Sequence, residues 1–86
     1  MDPYTVIRHP LSTEKSIKLM EAENKLVFVV NKNANKSDVK KAVEAMFNVK
    51  IVKVNTYINI TGEKRAYVKF SKETPAIDVA TKLGLM

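Results

Sequence analysis

Between residues 52 and 71, side chains that can hold RNA alternate with apolar ones. Over 52–60 the odd positions are Lys53, Asn55, Tyr57 and Asn59; over 65–71 they are Arg65, Tyr67, Lys69 and Ser71. Cations pair with phosphates, amides hydrogen-bond to base edges, and phenol rings stack on unpaired bases. The even positions are Val52, Val54, Thr56, Ile58 and Ile60, then Ala66, Val68 and Phe70. A period of two sends alternate side chains to opposite faces, so the even set is expected on a core and the odd set outward. Residues 61–64, with Gly62, form the expected hairpin link. An ordinary solvated sheet face shows the same alternation, because antiparallel sheets commonly face water on one side.

Other chemistries lack their residues. His9 is the single histidine, between Arg8 and Pro10, and one imidazole builds neither a zinc site nor a triad without partners. It is expected to touch RNA or simply to be exposed. Gly62 and Gly84 are too far apart for a phosphate-cradling loop. Cysteine is absent, which removes disulfides, thiolate metal sites and a thiol nucleophile. Glu14 and Glu21 can share a helical face, but no cleft is evident that would make them an acid–base pair. The reading is therefore of a protein without enzymatic activity, metal or cofactor. The aromatic platform of an RNA-recognition motif is not matched either, since residues 65–70 lack its opening basic-Gly-aromatic-Gly pattern.

A chain of 86 residues with net charge +6 is expected to form one domain over 1–86 that meets a polyanion. No apolar run approaches the ~20 residues of a bilayer span, and no signal-peptide core stands at the N-terminus, so a cytoplasmic protein with no membrane insertion is expected. The charge is uneven. Six lysines against Asp38 and Glu44 lie between Lys32 and Lys53, and Lys64, Arg65, Lys69 and Lys72 follow with no acid. Around Glu14, Glu21 and Glu23 the balance tips the other way, against Lys15 and Lys18.

These residues need elements to hold them. Residues 1–11 read as extended, with a short edge strand around 5–8. Ser12 or Thr13 can cap a helix running to about Glu23, with Ile17, Leu19 and Met20 as its narrow apolar stripe and Asn24 at its end. The unbroken run Leu26-Val27-Phe28-Val29-Val30 predicts a strand covered on both faces. Asn35 and Asp38 form a capping-box pair for the next helix, whose Val39, Ala42, Val43, Met46 and Phe47 make one face, and Asn48 suits the left-handed position at its end. Thr74 can cap a last short helix over 76–83, stopped by Gly84. The order is (short β)-α-β-α-β-β-α. A right-handed crossover would set the second and third strands parallel, with the last strand inserted between them, antiparallel to both. The expectation is a small three-layer α+β domain.

Nearly the whole chain also resembles the large-subunit ribosomal protein L-twenty-three family. The resemblance lies in Arg8-His9-Pro10-Leu11-Ser12-Thr13-Glu14-Lys15-Ser16, Ala34-Asn35-Lys36, Lys40-Lys41-Ala42-Val43-Glu44, Phe47-Asn48-Val49-Lys50, Val52-Lys53-Val54-Asn55-Thr56 and Gly62-Glu63-Lys64-Arg65-Ala66-Tyr67-Val68, in the family's order. It implies an α/β/α sandwich around a mainly antiparallel sheet, and a structural role in the large ribosomal subunit. It further implies binding to large-subunit rRNA beside the polypeptide exit tunnel and part of a docking surface for nascent-chain factors. Implied partners are rRNA, neighbouring ribosomal proteins such as the L-twenty-nine family, and the signal recognition particle or nascent-chain chaperones. The four-residue hairpin link is of the archaeal type, so the tunnel-lining extension of bacterial relatives is not expected. Carried onto this chain, RNA contacts fall to Lys15, Lys36, Lys40, Asn55, Thr56, Lys64 and Arg65, with Arg8 and His9 added, and factor docking to Glu14. The outward hairpin face adds Lys53, Tyr57, Tyr67 and Lys69, with Lys64 and Arg65 also expected to face solvent. The even–odd alternation instead sets Thr56 inward, and Lys36 and Lys40 equally suit a solvated helix face. Two rival readings are a protein-docking adaptor, which needs an exposed apolar patch such as residues 83–86, and an acyl-phosphate hydrolase, which needs an arginine-bearing phosphate loop that is not evident.

Overall fold

The structure, a computed structural model, describes residues 3–11 and 13–82, with side chains from Thr5 onward. Along the chain the elements are α1 (Pro3–Val6), β1 (Ile7–Pro10), α2 (Glu14–Glu23), β2 (Lys25–Val30), α3 (Lys36–Phe47), β3 (Ile51–Ile58), β4 (Lys64–Phe70) and α4 (Ala76–Lys82). The start differs from the extended segment expected: one helical turn precedes the edge strand. Proline's fixed φ suits a first helical position. Ser12, Gly84 and the apolar residues 83–86 lie outside the described residues.

The four strands form one antiparallel sheet in the order β1-β2-β4-β3. β4 pairs antiparallel with both β2 and β3, so those two run parallel with β4 between them, as expected from the crossover. The register sorts the faces. Leu26, Phe28 and Val30 stand opposite Val68, Ala66 and Lys64, while Lys25, Val27 and Val29 stand opposite Lys69, Tyr67 and Arg65. Of the first set, the five apolar residues join the main core with Val39, Ala42 and Val43 of α3 and Ala76, Val79 and Ala80 of α4. Val27 and Val29 point the other way and are buried too. On that side Ser16 and Leu19 of α2 line a small recess with Val27. This two-sided cover explains the unbroken apolar run in β2, and it makes three layers.

The helix boundaries follow local chemistry. Thr13 accepts from the Ser16 amide and Ser16 Oγ accepts from the Thr13 amide at 2.7 Å, closing a capping box at the start of α2. Asn35 and Asp38 do the same for α3. Asn24 and Asn48 both adopt left-handed backbone at helix ends, φ 56° and 53°, where asparagine is tolerated better than most side chains. On α2 it is Ser16 and Met20, four residues apart, that are buried, whereas Ile17, expected in the apolar stripe, is exposed. The small Ser16 fits because its hydroxyl donates back to the Thr13 carbonyl.

The alternation in β3 breaks at its start. Register shifts between Ile51 and Lys53, so Ile51 takes the inward position opposite Phe70 and Val52 bulges out, 61% exposed. At the other end Ile58 and Ile60 are exposed as well. Val54 and, in β4, Ala66, Val68 and Phe70 are buried as expected. The turn is longer than the four residues anticipated and spans 59–63. Asn59 Oδ1 accepts from the Glu63 amide and the Thr61 hydroxyl, and Gly62 sits at φ 85°, where its missing Cβ matters.

Candidate nucleic-acid interface

Cross-strand register gathers the outward hairpin residues into three rows. His9, Val29, Arg65 and Tyr57 form one; Val27, Tyr67 and Asn55 the next; Lys25, Lys69 and Lys53 the third. Neighbouring strands lie ~4.8 Å apart, so each row carries its polar groups within reach of a single strand of nucleic acid. Lys53, Tyr57, Lys69 and His9 are exposed, while Asn55, Arg65 and Tyr67 are half-buried. Tyr57 and Tyr67, diagonal neighbours, meet edge to face with centroids 5.4 Å apart at 87°. Arg65 Nε donates to Glu63 Oε1 at 2.9 Å, which orients the guanidinium and partly commits its charge.

Helix α2 walls this face on one side. Lys15 and Leu19, with Lys25, Asn55, Tyr57 and Tyr67, line a cleft of about 370 Å³. Lys15 is exposed at its mouth; Lys25 lies 3.3 Å from Glu23 in an ion pair. Neither Lys25 nor Leu19 stands among the RNA contacts expected from the sequence, although Lys25 shares the parity of Val27 and Val29 and so belongs to this face.

The remaining candidates lie elsewhere. Lys64, expected to face solvent, has the inward parity of Val30, is half-buried, and donates from Nζ to the Ala34 carbonyl at 2.6 Å. The longer turn moves it to the first residue of β4, where its long stem crosses the sheet end. Thr56 opposes fully buried Ala66 and is half-buried, on the inward side as its alternation required rather than among the outward groups. Lys36 and Lys40 are exposed on the first turns of α3. Arg8 contributes with Lys32, Lys64 and the turn residues to a second, more polar cleft of about 260 Å³. The His9 Nδ1 lies 3.2 Å from the Pro10 carbonyl oxygen. Glu14 is the first residue of α2, exposed, with Lys18 Nζ at 3.7 Å. Thus Lys15, Lys53, Asn55, Tyr57, Arg65, Tyr67, Lys69 and His9 share one face or its wall, and Lys36, Lys40, Thr56, Lys64 and Arg8 do not.

A face with cations, an amide and two rings carries the kinds of group that pair with phosphates and base edges. The sequence profile of the family described as Ribosomal protein L23 matches residues 5–81. The chain is 48% identical over 85 residues to "Large ribosomal subunit protein uL23" of Methanothermobacter thermautotrophicus, covering 99% of each chain. A protein of the same name from Trypanosoma brucei brucei is 45% identical over 85 residues, covering 99% of this chain and 52% of that longer relative. Matched by the profile across most of its described length and by the archaeal relative over nearly all of it, the chain belongs to the ribosomal protein L23 family, structural components of the large ribosomal subunit and not enzymes.

Proposed function

We propose that the protein binds large-subunit rRNA through the open sheet face, at the polypeptide exit tunnel of cytoplasmic ribosomes, and contributes there to the docking surface for nascent-chain factors. The observation that carries the reading is the gathering of Lys53, Asn55, Tyr57, Arg65, Tyr67 and Lys69 on one face of β3 and β4. Family membership supports the ribosomal setting. The lysines neutralise phosphates and release counterions, while the amide and rings supply contacts to unpaired bases. Contacts by Lys15 and His9 would extend the same footprint, and Lys36, Lys40, Arg8 and Lys64 would meet other RNA segments. Neighbouring proteins of the L-twenty-nine family, the signal recognition particle and nascent-chain chaperones are the protein partners of this reading.

Replacing Lys53, Arg65 and Lys69 together with Gln tests it. Lys53 and Lys69 are exposed, and among the described residues the Arg65 side chain bonds only Glu63, so the fold should persist. Affinity for a transcript of large-subunit rRNA should fall, and the slope of log K against log salt should shrink by ~0.7–0.9 for each phosphate no longer neutralised. A slope equal to that of the parent protein would remove the open face from the interface.

Glu14 bears on the docking part. Its pair with Lys18 is exposed at 88% and 75% of the two side chains, so the ion pair contributes only ~0.3–0.5 kcal/mol. The carboxylate at a helix start adds ~0.3–1 kcal/mol in low salt. Glu14→Gln should therefore barely change the melting temperature, yet weaken binding of the signal recognition particle to purified ribosomes and reduce its salt sensitivity, since rim charges steer association. Identical factor binding by both proteins would leave Glu14 a helix-end residue only.

A further inference from the structure

We infer that the cleft between α2 and the open sheet face takes one unpaired nucleotide, its base against the tyrosine rings and its edge read by Asn55. The inference rests on the RNA-binding reading and narrows it from a charged surface to a site of defined occupancy. The cleft's volume of about 370 Å³ lies at the small end of ligand pockets, which run ~300–1,000 Å³, a size for one nucleotide rather than for a duplex. Its wall is part apolar, from Leu19 and the two rings, and part polar, from Lys15, Lys25 and Asn55.

Three features select an unpaired base. The tyrosines meet at 87°, so one ring gives its edge to the other's face and the pair does not stack shut; ring surface is left for a base. The Asn55 amide is half-buried beside them and makes no side-chain hydrogen bond within the described structure. An asparagine amide presents a donor and an acceptor side by side, and a base's Watson–Crick edge presents a complementary pair only when no partner strand occupies it. Finally, the cations differ: Lys25 is engaged by Glu23, whereas Lys15 makes no ion pair in the described structure, which leaves Lys15 for the phosphate beside the inserted base. Extruding a base costs least where it is already unpaired, so a bulge or single-stranded turn is the ligand class.

The test uses a short RNA hairpin carrying a single bulged 2-aminopurine in its stem, with a hairpin of the same compact loop and charge but a fully paired stem as control. The whole chain should bind the bulged hairpin about tenfold tighter, and stacking on tyrosine should quench the probe. Tyr57→Leu and Asn55→Ala, each at a site not fully buried, should abolish that preference by bringing affinity for the bulged hairpin down to that for the paired one. Equal affinity for both hairpins with the salt slope intact would overturn the cleft and leave the RNA-binding reading standing. A bulge preference that survives both substitutions would put the base elsewhere and overturn it too. Binding of neither hairpin, nor of the rRNA transcript, would overturn both readings.

Discussion

Phe28→Ala should destabilise the domain by about 3–5 kcal/mol, the usual cost of emptying a buried phenylalanine site. Phe28 has no exposed surface and sits mid-strand in β2, paired with Pro10 on one side and Ala66 on the other. Its small neighbour Ala66, also fully buried, cannot extend to fill the void. Domains of this size are typically stable by only ~5–15 kcal/mol, so the substitution should remove much of the total and bring the urea midpoint sharply down at unchanged m-value. Phe47, which closes the apolar face of α3, is only partly buried against the same core. Phe47→Ala should therefore cost about half as much. Equal effects of the two, measured by urea denaturation followed by circular dichroism, would mean the core is centred nearer the end of α3 than the register of β2 indicates.

The second large effect belongs to a polar side chain. Asn24 ends α2 in left-handed backbone and uses its amide to tie down the chain after β4. Its Nδ2 lies 3.2 Å from the Phe70 carbonyl oxygen, 3.1 Å from that of Ser71 and 3.1 Å from that of Thr74, while Oδ1 accepts from the Ala76 amide at 2.6 Å. An NH2 group has two hydrogens, so one of the three carbonyls shares a donor. Thr74 is the cap expected from the sequence for α4; instead Asn24 takes the first amide of that helix from about fifty residues away. Asn24→Ala should cost about 3 kcal/mol, from several part-buried hydrogen bonds at ~0.5–1.5 kcal/mol each and an unfavourable φ for alanine. Asn24→Gly relieves the backbone strain alone and should recover about 1 kcal/mol of it. Hydrogen exchange should show the amides of α4 losing protection in both variants before the strands do. Protection of α4 equal to that of the parent would show that the tie is dispensable.

What could be read from the residues alone is what local rules govern. Asn35 with Asp38, Thr13 with its helix, and the left-handed Asn48 each act within four residues, Asn24 marks a helix end within five, and the core parity of Ala66, Val68 and Phe70 follows from strand period. The departures are mostly non-local or depend on one inserted residue. The bulge at Val52 shifts inward parity to Ile51, and no pattern in an apolar pair Ile51-Val52 tells which of them bulges. Ser16 displaces Ile17 from the buried face of α2 because of a capping geometry, against its hydropathy. The reach of Lys64 to Ala34, the grip of Asn24 on 70–76 and the wall that Lys15 and Leu19 give to the open face join residues 30 or more apart. Of the candidate site, the strand residues are visible through alternation; its third dimension comes only with α2.

The position of β4 also sets when this sheet can exist. β2 and β3 are never neighbours; β2 has β1 on its other edge, but the link between it and β3 comes only with residues 64–70, the last strand among the described residues. During synthesis at ~5–20 residues per second, β1, β2 and β3 therefore emerge with an unfilled gap between the second and third. The strand that fills it also brings Phe70 and, through Asn24, the start of α4. Such wiring has high contact order and leaves little to be gained from partial assembly. A polypeptide built this way condenses late and in one step, as a keystone closes an arch, and until then its β-branched strand edges stand bare.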